Sequence, residues 1–327
     1  MKQDTLEKTG MEYNQYTDQM KKLLTSCRLC SRNCGVNRLA GQKGYCGADA
    51  AVRIARAALH MWEEPCISGR EGSGAVFFSG CSLGCRYCQN QKISAGENGR
   101  EVSVERLAEI MLSLQEQKAN NINLVTAGHF APQTAAALSL AKKQGLVIPV
   151  LYNSSGYEKP ETLKLLAGLV NVYLPDFKYI TPELAKKYSY AGDYVETAKA
   201  ALEEMVRQTG NPRFDSRGMI TGGVIVRHLL LPGHVSEAKK VTEYLYRTYG
   251  DQIYISLMNQ YTPMSAMRED PLLSRRVTRR EYERLVDYAV SLGVSQGFIQ
   301  EGETAKESFI PEFDGEGVET EEKKKQI

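Results

Sequence analysis

Short apolar runs alternate with longer amphipathic stretches between about residue 70 and residue 300 of the chain. The apolar runs are rich in β-branched and aromatic residues, as buried strands are, and lie at 75–80, 122–126, 146–153, 170–177, 223–231, 252–258 and 296–300. Stretches with helical periodicity lie between them, at 104–118, 132–144, 160–166, 182–208, 236–249 and 278–292. This alternation is typical of βαβ units around a parallel sheet, and about six repeats predict an α/β fold, a partial (β/α)6-type, TIM-like barrel.

Both ends of the chain depart from this alternation. Residues 1–66 begin with a polar segment and continue into a glycine-rich stretch at 27–46 that has too few apolar residues to form its own core. Residues 311–327 are charged and poor in apolar side chains, which is typical of disordered segments. The pattern therefore predicts an N-terminal cysteine-rich extension at 1–66, the partial barrel at 67–310 and a disordered tail at 311–327.

Composition and charge narrow the function classes. Of the 327 residues, 42% are hydrophobic and 24% charged, and lysine plus arginine total 41 against 39 acidic residues. The resulting net charge of +2 argues against a nucleic-acid partner, because such proteins usually carry a basic face. No apolar run approaches the roughly 18 residues of a membrane span, and the N-terminus has no apolar signal-peptide core. We therefore expect a cytoplasmic protein without a membrane partner, in which the eight cysteines stay reduced and serve metal or redox chemistry.

Three cysteines follow the first predicted barrel strand within eight positions. Cys81, Cys85 and Cys88 lie in a loop of the kind that forms the catalytic face of β/α barrels, and Gly80 and Gly84 allow the backbone to turn tightly there. Thiolates favour iron–sulfur clusters, zinc or copper(I). A [4Fe–4S] cluster ordinarily takes four cysteines, so three leave one iron open for a substrate or cofactor. The alternative is a zinc site that a distant histidine or cysteine completes.

The spacing Cys81-x3-Cys85-x2-Cys88, with Tyr87 before the last cysteine, resembles the signature of the radical S-adenosylmethionine (SAM) enzymes. This resemblance implies a [4Fe–4S] cluster whose open iron binds the amino and carboxylate groups of SAM. Reductive cleavage of SAM then yields a 5′-deoxyadenosyl radical that removes hydrogen from a substrate. The resemblance covers most of residues 70–310 and is closest to the branch similar to pyruvate formate-lyase activating enzyme.

Within this branch the resemblance implies cofactor contacts after several strands. The implied residues are Tyr87, Thr126, His129, Asn153, Ser154, Asp176 and Arg227. Many members carry Gly-Gly-Glu after the second strand, whereas this chain reads "VTAGHF" at 125–130, so Thr126 and His129 are the candidates to replace the missing carboxylate.

Each of these residues also has a structural interpretation. Asn153 and Ser154 are common turn residues. Asp176 and Lys178 would form a polar pair at a strand end, and His129 would cap the next helix. Arg227 and His228 point to opposite faces of a strand, and we expect Arg227 to face the lumen. His60, His234 and Trp62 belong to no motif and are given no role.

Four further cysteines lie upstream of the barrel. The spacing Cys27-x2-Cys30-x3-Cys34-x11-Cys46 occurs in the segment that lacks a core, and metal binding would fold it. The metal is either an auxiliary iron–sulfur cluster or a structural zinc ion, whose tetrahedral coordination four cysteines would complete. Pyruvate formate-lyase activating enzyme lacks such a block. Cys66 is expected to pack as a small apolar residue.

The sequence thus supports two main function hypotheses. The first is a radical SAM oxidoreductase that acts on a protein or peptide, as glycyl-radical activases do, and takes electrons from a flavodoxin or ferredoxin. The second is a zinc-stabilised structural or binding protein without redox catalysis. A nucleic-acid module built on the upstream cysteines is disfavoured by the charge balance and by the absence of aromatic stacking positions.

Overall fold

The computed structural model describes residues 13–96, 98–300 and 311–319. Within these residues ten strands form one sheet system. Their bounds are β1 Val52–His60, β2 Ser73–Phe78, β3 Arg100–Val102, β4 Ile122–Val125, β5 Val150–Ser154, β6 Val172–Pro175, β7 Arg213–Phe214, β8 Ile220–Leu229, β9 Tyr254–Met258 and β10 Gly297–Ile299.

The strand order is β10-β9-β8-β6-β5-β4-β2-β1-β3, with β7 paired to β8 outside this path. All pairs from β2 through β4, β5, β6, β8 and β9 to β10 are parallel. The sheet has two ends and does not close on itself, so the predicted partial barrel is confirmed. Because the strands are parallel, their carboxyl ends share one rim of the sheet, and the loops that follow them meet there.

Ten helices accompany the sheet in the described part of the chain. Their bounds are α1 Tyr13–Thr25, α2 Pro65–Ser68, α3 Gln91–Ser94, α4 Val104–Glu116, α5 Ala131–Lys143, α6 Pro160–Lys164, α7 Pro182–Ser189, α8 Tyr194–Thr209, α9 Val235–Tyr249 and α10 Arg279–Leu292. The single helix predicted at 182–208 is two helices, because Tyr190 adopts a left-handed φ of 51° that ends α7. Strands β2, β4 and β6 are buried along their whole length, which explains their continuous apolar sequence.

The antiparallel strands β1 and β3 extend the sheet beyond the predicted barrel. β1 lies inside the predicted extension at 1–66, yet it pairs with β2 over six residue pairs and with β3 on its other side. The boundary predicted at residue 66 therefore falls between two paired strands, and the end of the extension shares a core with the barrel.

The predicted disorder at 311–327 is wrong for residues 311–319. The Gly315 amide donates to the Ala55 carbonyl at 3.0 Å, and the Ala57 amide donates to the Glu316 carbonyl at 2.8 Å. Val318 is buried, and Arg56 pairs with two acidic side chains of this segment. The charges that suggested disorder have partners on β1, whereas residues 320–327 lie outside the described residues.

None of the helices described is both long enough and apolar enough to cross a membrane.

Candidate active site

A cavity of about 360 Å³ lies at the rim formed by the carboxyl ends of the parallel strands. All three cysteines of the loop after β2 line it. It is also lined by six of the seven predicted cofactor contacts, namely Tyr87, Thr126, Asn153, Ser154, Asp176 and Arg227. A volume of this size is in the range of small-molecule sites, which span roughly 300–1,000 Å³. The structure thus brings residues from five separate elements to one cavity.

The three-cysteine loop depends on two glycines. Gly80 has a φ of +92°, and a Cβ there would lie 2.5 Å from the Cys46 carbonyl oxygen. Gly84 has a φ of +66°, and its Cβ would lie 3.0 Å from the Tyr45 hydroxyl. Both positions favour glycine because of the left-handed backbone and the close neighbour. The loop is therefore seated directly on the upstream cysteine block.

The half-buried thiols of the loop shift one another's pKa. Burial, and then the neighbouring thiols of Cys81 and Cys85, raise the pKa of Cys88 to about 12. Burial also raises the pKa of Cys85, whose sulfur accepts a hydrogen bond from the Ser189 hydroxyl at 3.0 Å. Such thiols ionise when a cation stabilises the thiolate, and iron does so. Three thiols on one cavity wall, without a fourth cysteine beside them, fit a cluster that keeps one iron open.

Lys178 places a positive charge beside the thiols of this loop. Its ammonium lies 2.6 Å from the Asp176 carboxylate, and it acts to lower the pKa values of Cys85 and Cys88 against the effect of burial. Burial lowers the pKa of Lys178 itself, but Asp176 and then Cys85 raise it well above its usual range. The pair predicted after β6 thus exists, and Lys178 supplies a fixed charge beside the sulfurs.

Tyr87 is buried at the cavity wall with its hydroxyl engaged. The Tyr179 hydroxyl donates to it at 2.8 Å and also lies 2.8 Å from the Ser189 hydroxyl. Because Ser189 contacts the Cys85 sulfur, these hydroxyls form a chain that leads to the loop. Ser154 is also engaged, since its hydroxyl donates to Glu158 at 3.1 Å. Burial raises the pKa of Glu158 to about 7.

Arg227 is held by the carboxylates of Glu63 and Glu64, which belong to no motif in the sequence. Its Nε donates to Glu64 at 2.9 Å, and its terminal nitrogen contacts both Glu63 and Glu64. The Asn123 amide donates to Glu63 at 2.8 Å. Burial lowers the pKa of Arg227, but the two carboxylates raise it well above its usual range. His228 does not line the cavity; its Nδ1 lies 2.7 Å from the Phe177 carbonyl oxygen.

Glu63 and Glu64 lie in the turn between β1 and α2, and this part of the chain contributes further residues to the cavity wall. His60 and Trp62, which were given no role, also line the cavity. The signal in the sequence is weak: the stretch "HMWEEP" at 60–65 has two adjacent acids but no recognised spacing. Pairing of β1 with β2, had it been predicted, would have placed this turn beside the amino end of β2.

His129 was predicted to contact the cofactor, but it does not line this cavity. It lies in a short 3₁₀ turn after β4, with its Nε2 2.7 Å from the Ser79 carbonyl oxygen and its ring buried. Burial lowers the pKa of His129 to about 3, and the charge of Arg38 adds to this effect. The turn thus places the imidazole behind the three-cysteine loop, against the upstream block, and Thr126 alone of the pair faces the cavity.

The four upstream cysteines line a second, small cavity of about 10 Å³. Burial, and then the thiols of Cys46, Cys27 and Cys34, raise the pKa of Cys30 to about 12, so all four thiols interact. As placed, no three histidine, cysteine or acidic side chains among the described residues gather around a point where they would hold one metal ion. Cys66 lies apart from both sets, in a core cluster with Ile67 and Leu151.

Arg32 joins the two cysteine sets. Its guanidinium donates to the carbonyls of Ser82 and Leu83 inside the three-cysteine loop, at 3.0 and 2.9 Å. It also donates to the carbonyls of Ser189 and Tyr190 at the end of α7 and lies 3.8 Å from the centre of the Tyr45 ring. One side chain from the upstream block therefore fixes the backbone of the loop in two places and joins it to the end of α7 by two further hydrogen bonds.

We expect Arg32→Ala to loosen the three-cysteine loop while leaving the barrel folded. Hydrogen bonds from a charged donor contribute roughly 1.5–3 kcal/mol each, and a loss of 1.4 kcal/mol changes an opening equilibrium about tenfold. Hydrogen exchange of the amides at 81–88 should therefore accelerate by at least about tenfold. Arg28→Ala, at an exposed position of the same block, is the control and should leave that exchange unchanged. Equal exchange in both variants would contradict the role of Arg32.

Comparison with known proteins identifies a domain of a known superfamily. The model of the radical SAM superfamily matches residues 75–237, a region that begins in β2 and includes the three-cysteine loop. An uncharacterized protein of Methanocaldococcus jannaschii is 27% identical over 277 residues, which are 82% of this chain and 75% of that protein.

Solved structures of Streptococcus suis SuiB also match. SuiB bound to S-adenosylmethionine superposes with a TM-score of 0.47 at 13% identity, over 68% of this chain and 48% of SuiB. SuiB bound to the precursor peptide SuiA gives a TM-score of 0.46 at 12% identity, over 68% and 46%. The chain thus spans about half the length of SuiB. The family match over the strands and the loop shows that the chain contains a domain of the radical SAM superfamily, which uses a [4Fe–4S] cluster and S-adenosylmethionine.

Proposed function

We propose that the protein reductively cleaves S-adenosylmethionine and removes a hydrogen atom from a protein or peptide substrate. The observation that carries this proposal is the cavity in which Cys81, Cys85 and Cys88 face polar strand ends. When bound, the cluster and S-adenosylmethionine supply an electron and a carbon-centred radical. The residues of the protein hold the iron, orient the cofactor and shield the radical from solvent.

In this proposal the three thiolates hold the cluster, and the strand ends orient the cofactor. Thr126 and Asn153 follow neighbouring strands and are joined through the Thr126 amide and the Asn153 carbonyl at 2.8 Å, so their side chains sit side by side at the rim. Tyr87 and Ser154 form hydrogen bonds within the protein, and these bonds hold their side chains in the cavity wall. Leu83 and Met258 supply apolar wall surface.

Asp176 and the Glu63–Glu64 pair are the carboxylates that face the cavity. Because the Gly-Gly-Glu carboxylate is missing from the strand-two position, we propose that one of these acids takes its charge-balancing role towards the amino group of the cofactor. Arg227 holds Glu63 and Glu64 in place, and Lys178 holds Asp176. A basic partner thus holds each of the three acids in a fixed position.

The open side of the sheet supports a large substrate. The cavity extends to β10, where Phe298 and Ile299 line it, and to Trp62 on the opposite side. Trp62 and Ile299 are exposed, so each presents apolar surface to solvent beside the cavity. Such a rim suits a polypeptide segment, and the pyruvate formate-lyase activating enzyme-like branch would make a backbone glycine the site of abstraction. We propose a flavodoxin or ferredoxin as the electron donor.

Anaerobically reconstituted protein, reduced in the presence of S-adenosylmethionine, is expected to release 5′-deoxyadenosine. For the substrate, an extract of cells grown in deuterated medium is separated by size into macromolecules and small molecules. We expect deuterium in the 5′-deoxyadenosine when the macromolecular fraction is added, and none with the Cys85→Ala variant. Transfer from the small-molecule fraction alone would overturn the substrate class, and colourless protein with zinc in both cysteine sets would favour the structural alternative.

A further inference from the structure

The upstream cysteine block contains a buried nitrogen without a partner. His129 lines the same small cavity as Cys27, Cys30, Cys34 and Cys46. It is 2% exposed, and its Nδ1 has no hydrogen-bond partner among the residues that the structure describes. Buried polar atoms of this kind are rare, because they lose water without gaining a replacement. The orphaned atom therefore points to a ligand that the cavity receives.

The hydrogen bond at the other ring nitrogen defines the tautomer. Nε2 lies 2.7 Å from the Ser79 carbonyl oxygen, which only accepts, so Nε2 carries the proton and Nδ1 presents a lone pair. Histidines that bind metals are held in this way, with one nitrogen on the ion and the other donating to a backbone carbonyl or carboxylate. His129 is thus oriented as a metal ligand is.

The size of the cavity limits what it can hold. Its volume of about 10 Å³ is roughly that of one water-sized sphere. A cluster of four irons and four sulfides is much larger, whereas a single ion fits. Zinc takes four ligands in a tetrahedron, and three cysteines with one histidine are a common structural set. The cavity therefore favours one ion over an auxiliary cluster.

We propose that this cavity binds a single divalent metal ion of the zinc class through His129 Nδ1 and the thiolates of Cys27, Cys30 and Cys46. Cys34 is the exposed thiol of the four, and its sulfur accepts a hydrogen bond from the Tyr45 amide at 3.3 Å at the border of the site. The donors do not yet surround one point, so binding requires rotation of cysteine side chains, each of which has a single torsion. The assignment does not depend on the reaction proposed above.

Such an ion would lie directly behind the three-cysteine loop. His129 bonds to the Ser79 carbonyl, and the Cys46 carbonyl contacts Gly80, the two residues that precede Cys81. Two of the proposed ligands therefore touch the backbone from which the loop begins. The ion would fix the loop from behind while the cavity in front stays open.

The wild-type protein provides the first test. Full-length protein is reconstituted anaerobically with iron and sulfide, supplied with zinc, and analysed for metals and by zinc X-ray absorption. We expect iron for one four-iron cluster and one zinc per chain, with three sulfur ligands near 2.3 Å and one nitrogen at about 2.0–2.1 Å. Iron for two clusters without zinc would overturn the single ion, and four sulfur ligands would overturn the role of His129.

Variants provide the second test. His129→Gln should weaken zinc binding by at least about tenfold in competition with a chromophoric chelator, and Cys34→Ser should retain zinc with unchanged coordination. His228→Gln is the matched control, because His228 is also 2% exposed and also bonds a backbone carbonyl at 2.7 Å but lines neither cavity. Unchanged zinc affinity in His129→Gln, or equal loss in His228→Gln, would contradict the proposal. Should His129→Gln not fold, the wild-type absorption spectrum decides alone.

Discussion

Replacement of Cys85 by alanine is expected to abolish cleavage of S-adenosylmethionine. The thiol is half-buried in the loop, contacts Ser189 and faces the cavity with Cys81 and Cys88, so no neighbouring cysteine can take its place on the cluster. Loss of a residue that merely supports a metal ligand costs about 10–100-fold, and loss of the ligand itself should cost more. We expect 5′-deoxyadenosine formation to fall by at least about 100-fold, with a parallel loss of bound iron and sulfide.

Cys66→Ala is the matched control for this experiment. Cys66 is a buried cysteine, and burial raises its pKa to about 12, but it packs in a separate core cluster. The variant should keep its iron, its sulfide and its rate of cleavage. If Cys85→Ala retained activity and Cys66→Ala lost it, the assignment of the cluster to the loop after β2 would be wrong.

Replacement of Arg227 by methionine is expected to destabilise the protein by about 3–5 kcal/mol. Arg227 is the basic partner of both Glu63 and Glu64, and all three side chains are largely buried. Without the guanidinium, two carboxylates remain close together in a poorly hydrated site. Urea unfolding followed by circular dichroism measures the change. Arg207→Met removes an exposed guanidinium from a pair with Glu204, and the Gln208 amide still donates to that carboxylate, so the effect should be much smaller.

The deficit of Arg227→Met should depend on pH. Burial raises the pKa of Glu64 in the wild type, but the charge and hydrogen bonds of Arg227 bring it below its usual range. The wild-type carboxylate therefore stabilises the fold above the unfolded-state pKa of about 4.3, and this stabilisation is lost as the pH falls through the lower folded-state value. In the variant, burial is opposed only by hydrogen bonds from the Glu64 backbone and Ser256, so the deficit should shrink below about pH 4 and grow as the pH rises. A deficit independent of pH would indicate lost packing only.

The barrel strands were predictable because each is marked by local composition. β2, β4 and β6 are buried on both faces and read as continuous apolar runs. β1 mixes buried and half-buried positions and contains two arginines, so its sequence lacks that mark, and its pairing with β2 is set by tertiary contacts. The break after Tyr190 was missed for the same reason, since helical periodicity continues on both sides of it.

The residues of the candidate site likewise divide into those that the local sequence predicts and those that only tertiary packing brings together. The spacing of Cys81, Cys85 and Cys88 is a local property of one loop, and it was sufficient to locate the cavity. Glu63 and Glu64 reach Arg227 across more than 160 positions of sequence, and only the packing of the β1–α2 turn brings them there. His129 was assigned to the wrong cavity because a turn of three residues decides which side of the loop it faces.

The contact between residues 315–316 and β1 joins positions about 260 residues apart. Contacts this distant in sequence form slowly, because the chain loses much conformational entropy on closing such a long loop before the stabilising hydrogen bonds form. During synthesis on the ribosome, β1 can therefore pair with residues 315–316 only after nearly the whole barrel has been synthesised. Until then its free amides and carbonyls are available to other strands, which makes newly made, incomplete chains the form most at risk of aggregation.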